Sequence, residues 1–289
     1  MLKMRSKLFV PAIRPELFLK ALRGEADAIC FDLEDAVPAE RKPEARENLR
    51  AFFSLLPDSG SKRLLVRVNA VRSAEFEDDL KAVVHAGLDA IALPKVETTA
   101  EIHRAEQLVA ALELQRGVQS PIGLLVTVES PLGLRCAAEL ALCSSRICGL
   151  QLGFADLLEP LGIASDNFAA QQQIRLMLRL AAGEAGVNCY EAAYPFMNDD
   201  AGFIARLKDA RALGFAGASC IHPNQIEAVN REFSPTEDEV RYAELVMAAA
   251  EQAGRDGKAV VVVNGKMIDR PFILRARAIL DIQANGRAD

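Results

Sequence analysis

Charged residues stand where apolar runs end. Asp32, Glu34 and Asp35 follow AICF, Arg67 and Asn69 close LLVRVN, Lys95 follows IALP, Glu129 follows LLVTV, and Asp156 follows LQLGF. Glu129 and Asp156, from consecutive runs, could give two carboxylate oxygens to a hard cation whose other positions are filled by water and substrate. That ligand-poor arrangement suits magnesium. Each carboxylate could instead cap the helix after its strand; the matched position of the pair favours the metal. Arg67 interrupts an apolar run, where a guanidinium is costly to bury without an anion. A substrate carboxylate or an acid of DLED would serve, and one arginine can meet both. Asp32, Glu34 and Asp35 are then expected around Arg67 rather than on the metal. Lys95 offers a rival chemistry, a Schiff base with a carbonyl substrate, against an ion pair in the acidic cluster. His222 could be a base or a hydrogen-bonded structural residue, and His85 and His103 fall in helical patterns expected at the surface.

These groups need a frame that turns strand ends to one side. Eight short apolar, β-branched segments recur at helix-sized intervals: Lys7–Val10, Ala28–Leu33, Leu64–Val68, Ala90–Leu93, Gly123–Val128, Ile147–Leu152, Asn188–Ala192 and Gly217–Ile221. Nearly continuous apolar runs are expected of parallel strands covered on both faces. Amphipathic stretches separate them: Arg41–Leu56, Glu75–Ala86, Ala100–Leu114, Leu134–Leu142, Ala169–Ala185 and Ala201–Leu213. The expected fold is α/β, a closed (β/α)8 barrel of the TIM type, with a doubly wound open sheet as the alternative. In such a barrel the site lies at the C-terminal ends of the strands, where these charged residues fall. Residues 1–223 are read as the catalytic barrel and 224–289 as a C-terminal extension or lid. In the extension Ser234 or Thr236 could cap a helix through Ala253, and a last helical pattern runs from Phe272 to Ile282.

The 289 residues, 51% hydrophobic and 26% charged, can bury a large core and exclude disordered or fibrous classes. A net charge of −6, with no basic block, argues against nucleic acid or an anionic membrane as partner. Six cysteines without a CxxC pair read as core residues of a reducing compartment. The first apolar run, LFVPAI, is too short for a signal or a span, so a cytoplasmic protein is expected. No GxSxG, P-loop, GxGxxG or HExxH motif is present.

RSKLFVPAIRPE, CFDLEDAVP with KPEAR, LVRVN, IALPKVE, TVES, LGFADL, LGFAGASCIHPNQI and NGKMIDRP occur in that order. Together they resemble the citrate lyase beta-subunit-like proteins of the HpcH/HpaI aldolase/citrate lyase superfamily, which includes malyl-CoA and citramalyl-CoA lyases. The resemblance covers nearly the whole chain. It implies magnesium on Glu129 and Asp156, Arg67 on the carboxylate of the 2-oxo acid, and coenzyme A near Phe9, Arg14 and Lys20. It assigns a catalytic aspartate to GKMIDRP, here Asp269, delivered to a neighbouring subunit's site in a trimer or larger homo-oligomer. Arg67, Asp269, Glu34 and Asp35 are thus the catalytic candidates. Ser130–Pro131 and Glu191 depart from the family pattern, where a Thr–Ala pair and an aspartate are commoner.

The implied reaction is a reversible Claisen-type cleavage of a citramalyl-CoA- or malyl-CoA-type thioester to acetyl-CoA and a 2-oxo acid. Coenzyme A is then part of the substrate. The alternatives are a citrate lyase beta subunit acting on a citryl thioester of an acyl carrier protein, a malate synthase- or thioesterase-like activity, and a partner-binding subunit without activity.

Overall fold

Eight parallel strands close on themselves in chain order: β1 (Ser6–Pro11), β2 (Ala28–Asp32), β3 (Arg63–Arg67), β4 (Ala90–Leu93), β5 (Gly123–Val128), β6 (Ile147–Leu152), β7 (Asn188–Glu191) and β8 (Gly217–Cys220). The computed structural model describes residues 4–55, 62–255, 257 and 260–285, apart from the side chain of Asn285. β8 returns to β1 with Ser6 opposite Ala218, which makes the sheet a barrel and rules out the open doubly wound alternative. Strand bounds differ from the sequence expectation by at most one residue, within the normal fraying of ends.

The helices of the barrel unit are α1 (Phe18–Leu22), α2 (Lys42–Ser54), α3 (Phe76–Val83), α4 (Thr99–Arg116), α5 (Pro131–Arg135), α6 (Ala137–Leu142), α7 (Phe154–Leu158), α8 (Phe168–Glu184), α9 (Asp200–Ala212) and α10 (Ile226–Glu232). The end of the expected helix 41–56, at Leu56, lies outside the described residues. The expected helix 134–142 is two short ones, because Ser130 and Pro131 start α5 early and the chain breaks at Cys136. α4 shows local sequence control clearly. Thr98 and Glu101 form a reciprocal capping box at its start, and Gly117 ends it with φ 64°.

The barrel interior is lined by small and branched side chains, among them Ala28, Cys30, Leu65, Ala90, Ala92 and Leu125, with Tyr190 filling the space that Gly149 leaves. Such filling makes the barrel a core rather than a pore. Cys30, Cys189 and Cys220 are buried, and all six cysteines are free thiols.

The chain divides into two compact units, Met1–Arg231 and Glu232–Asp289. The division falls after the expected 223/224, so most of α10 goes with the barrel. The second unit contains α11 (Glu237–Arg255), the hairpin strands β9 (Val261–Val263) and β10 (Lys266–Ile268), and α12 (Arg270–Asn285). Its core is built on Ala243, Val246, Val263, Ile268 and Ala276. Of the two expected caps, Thr236 starts α11: its hydroxyl accepts from Glu239 N while Thr236 N donates to the Glu239 carboxylate. The hairpin, unforeseen, turns at Asn264–Gly265, both at positive φ as a tight two-residue hairpin turn requires.

Candidate active site at the strand ends

Arg67 ends β3 directly opposite Asp32, the last residue of β2. The parallel register therefore sets the two side chains face to face. Arg67 Nε and Nη2 donate to the two Asp32 oxygens at 2.8 and 2.7 Å, a bidentate fork. Asp32 also accepts from the backbone N–H groups of Glu34 and Ala36, so the loop after β2 winds around its carboxylate. With Asp32 satisfied from four donors, Arg67 is fixed in direction. Its Nη1 faces Glu34 Oε2 at 3.1 Å and Asp35 at 3.4 Å. The Glu34 contact lacks hydrogen-bond geometry, and that oxygen is buried without a hydrogen-bond donor among the described residues.

Glu34 is tied by its other oxygen to Lys95 Nζ at 2.7 Å, and Asp35 and Asp156 lie 3.5 and 3.9 Å from the same ammonium. Burial works against the Lys95 charge, but the Glu34 hydrogen bond and the three carboxylates outweigh it and hold the amine well above the usual lysine range. A Schiff-base lysine needs a free amine; this lysine is the ion-paired residue of the acidic cluster. Lys95 also holds φ 54°, rare for a side chain of its size. That backbone points its N–H at Glu129 Oε1, 2.6 Å away.

Glu129 is buried just beyond β5. Its pKa is pushed up to about 8, first by burial and then by the charges of Glu34 and Asp156, against which the Lys95 N–H and Arg67 act only partly. Glu34 is likewise raised, chiefly by burial. Gly153 makes room for Glu129: a Cβ there would lie 2.6 Å from the Glu129 Cβ and collide with its Oε2. Three residues on, Asp156 stands exposed in the first turn of α7. Neither carboxylate makes the capping hydrogen bond of its helix. Ser130 caps α5 by accepting from Gly133 N, and α7 has no side-chain cap.

Among the described residues no three His, Cys, Asp or Glu side chains form a ready-made metal cage. The donor set nonetheless fits a hard dication that keeps water and substrate ligands. Asp32, Glu34, Asp35, Glu129 and Asp156 crowd Arg67 and Lys95, and the charges of Glu34 and Asp156 add to the proton affinity of Glu129. A dication would relieve that repulsion.

Of the other expected residues, one adjoins Arg67. Phe9 is turned into the barrel, its ring 4.8 Å from the Arg67 guanidinium carbon. Arg14 and Lys20 are exposed beyond β1, and Arg14 pairs with Glu16. Asp269 belongs to the second unit, between β10 and α12. It accepts from Ile273 N through its carbonyl, and its buried Oδ1 has no hydrogen-bond partner among the described residues. His222 caps a short turn by accepting from Asn224 N, the structural role. His103 is exposed, but His85 lies past the end of α3, half-buried and stacked on Phe53.

Two lysines of the site escaped sequence reasoning. Lys42 Nζ bonds the carbonyls of Leu33 and Glu34 and the Asn69 side chain, bracing the loop that carries Glu34 and Asp35. Lys7 is buried inside the barrel beneath Phe9. Strand alternation puts Lys7 and Phe9 on one face of β1 but does not say that this face turns into the barrel.

The chain belongs to the HpcH/HpaI aldolase/citrate lyase family, whose model matches residues 5–223. It is 36% identical over 292 residues to the citrate lyase subunit beta of Leuconostoc mesenteroides subsp. cremoris, covering 99% of this chain and 95% of the relative. To the L-malyl-CoA/beta-methylmalyl-CoA lyase of Rhodobacter capsulatus it is 30% identical, over 96% of this chain and 93% of the relative. A crystal structure of CitE from Mycobacterium tuberculosis with magnesium, acetoacetate and coenzyme A superposes with a TM-score of 0.75 at 31% identity, covering 96% and 97% of the two chains.

Proposed function

We propose that the protein is a magnesium-dependent carbon–carbon lyase that cleaves a short hydroxy-dicarboxylic acyl-CoA, of the citramalyl-CoA or malyl-CoA type, to acetyl-CoA and a 2-oxo acid. The observation that carries this reading is the meeting of a fixed Arg67 with the crowded carboxylates Glu129 and Asp156 at adjoining strand ends. The magnesium and coenzyme A of the CitE complex support it, as does the lyase relative.

Glu129 and Asp156 would hold the cation. Bound there, magnesium supplies Lewis-acid stabilisation of the negative charge that gathers on the substrate oxygens. Arg67 binds the carboxylate of the oxo-acid half, and the Asp32 fork keeps its guanidinium fixed in direction without reorganisation during the reaction. Glu34 and Asp35 act through Arg67 and Lys95, holding both cations in place. As the carbon–carbon bond breaks, the substrate hydroxyl gives up its proton to solvent and becomes the oxo group, and solvent later returns a proton to the donor of the next step. The departing thioester enolate takes a proton at carbon, and Asp269 is the proposed donor, the base in the condensation direction. Its unpartnered carboxylate oxygen leaves it free for that exchange. Asp269 would serve a neighbouring subunit of a homo-oligomer, and Phe9, Arg14 and Lys20 would contact coenzyme A. A cytoplasmic location belongs to the same proposal; among the described residues no helix is long and apolar enough to cross a membrane.

A second reading is favoured by the citrate lyase relatives: a beta subunit acting on a citryl thioester of a carrier protein. Product analysis separates the readings. Incubation with malyl-CoA and citramalyl-CoA should yield acetyl-CoA and a 2-oxo acid in equal amounts. Free coenzyme A in their place would mean thioester hydrolysis, and turnover only after adding a carrier protein would establish the beta-subunit role.

A further inference from the structure

One buried charge is left without work by this chemistry. Lys7 is about 1% exposed on β1, inside the barrel, and its Nζ donates to Gln151 Oε1 of β6. The same ammonium lies 4.6 Å from the centre of the Phe9 ring, whose other close cation is Arg67 at 4.8 Å. Lys7 forms no ion pair among the described residues. The groups that face it are Cys30 and Asp32 on β2, Arg67 on β3, Cys148 on β6 and Cys220 on β8. Burial pushes the three thiols up to about 11, 12 and 12, so they stay neutral. Asp32 is already committed to the Arg67 fork. Lys7 is therefore a buried cation with one neutral acceptor and a ring, an arrangement that folding alone disfavours. Burial, more than any other influence, brings its pKa down to about 8.

A buried, uncompensated cation is stabilised when an anion arrives nearby. The Phe9 ring joins Lys7 to the guanidinium that, on the reading above, receives the oxo-acid carboxylate. We propose that Lys7 is a positioning cation for that carboxylate: from beneath the barrel mouth it seats the Phe9 ring under Arg67 and adds positive charge where the 2-oxo acid binds. The inference rests on the proposed function for the identity of the anion. It accounts for a charged residue where an apolar one would pack better.

The linkage follows. When the anion binds, the Lys7 ammonium becomes easier to keep protonated, so above about pH 8 binding draws a proton from solvent. In the unliganded protein the depressed pKa makes the charged form costly below about pH 8, and that cost fades as pH rises toward the ordinary lysine value. An apolar replacement should thus stabilise the neutral-pH fold while weakening the ligand.

The test is calorimetric titration of the full-length, magnesium-loaded protein with pyruvate, glyoxylate and oxaloacetate at about pH 8.5, in two buffers of different ionisation enthalpy. Wild type should bind at least one with fractional proton uptake. Lys7→Met should bind it about tenfold more weakly, as one unit of pKa coupling implies, with no uptake and a higher unfolding temperature at neutral pH. Lys7→Arg, charged throughout, should bind without uptake and close to wild-type affinity, which keeps the test open if Lys7→Met fails to fold. Unchanged affinity and uptake in Lys7→Met, or an equal loss of affinity in Lys7→Arg, would overturn the positioning role and leave the lyase reading standing. If wild type binds no 2-oxo acid while loading magnesium normally, the oxo-acid reading itself fails and the role of Lys7 falls with it.

Discussion

Arg67 and Asp32 illustrate how one hydrogen-bonded pair sets the direction of a site. Asp32 occupies two guanidinium nitrogens, and Nη1, which lies beside Glu34 and Asp35 without a hydrogen bond to either, is the nitrogen left to donate to a ligand. A lysine could supply the charge but not the fork. Arg67→Lys should therefore lower kcat/KM for cleavage by roughly a hundredfold with little change in unfolding temperature, measured by initial rates and thermal melts. Glu129 makes a pH prediction. Its folded pKa, about 8, lies above the ordinary carboxylate value, so its contribution to stability is fully present below that ordinary value and is lost as pH rises through about 8. In EDTA, melts between about pH 5 and pH 8.5 should show wild type losing stability relative to Glu129→Gln. Magnesium should reverse that loss in wild type and leave Glu129→Gln unmoved. At this scale the sequence showed the charged residues that end apolar runs, because position after a strand is visible without a fold. It hid Lys7 and Lys42. A lysine within a strand or at a helix start reads as solvated, and only closure of the barrel turns Lys7 inward and only the β2–α2 loop brings Lys42 to its carbonyls.

Strands and their following turns carry the precision of the site. The β6–α7 turn accepts the Glu129 side chain against its backbone only because residue 153 lacks a Cβ. Gly153→Ala should leave the barrel folded yet push Glu129 aside, weakening magnesium about tenfold or more, as disturbing a ligand's support commonly does. Calorimetric titration with the metal alone reads this without any assay of turnover. The eight strands were legible because a parallel barrel demands continuous apolar runs at helix-sized spacing, and the α11 start was legible only as a choice between Ser234 and Thr236, which the Thr236–Glu239 bonds decide. The split of α5 from α6 was not, since Ser130–Pro131 is a start signal embedded in an apparently continuous pattern. The β9–β10 hairpin was missed although its Asn264–Gly265 turn is a strong local signal. Its strands are too short to register as periodic segments. Lys95 at positive φ was illegible altogether, because no residue preference marks that backbone.

At the scale of the molecule, two compact units divide the chemistry that we propose, with Arg67, Glu129 and Asp156 in the barrel unit and Asp269 in the other. If Asp269 serves a neighbouring subunit, two inactive variants should rescue each other. Arg67→Ala and Asp269→Ala, mixed in equal amounts after reversible dissociation, should regain roughly a quarter of wild-type activity, because that share of sites draws one intact group from each chain. No recovery, with subunit exchange verified, would mean that Asp269 acts within its own chain or not at all. The sequence marked the second unit as an extension but placed its start too early, since α10 continues the barrel's own helix pattern before the second core begins. The central claim is a carbon–carbon cleavage that depends on the Glu129–Asp156 pair and a bound dication. The most direct measurement is acetyl-CoA release from malyl-CoA and citramalyl-CoA by wild type and Glu129→Ala, each with magnesium and with EDTA. Release by wild type with magnesium alone is the result expected; equal release in EDTA, or by Glu129→Ala, would contradict it.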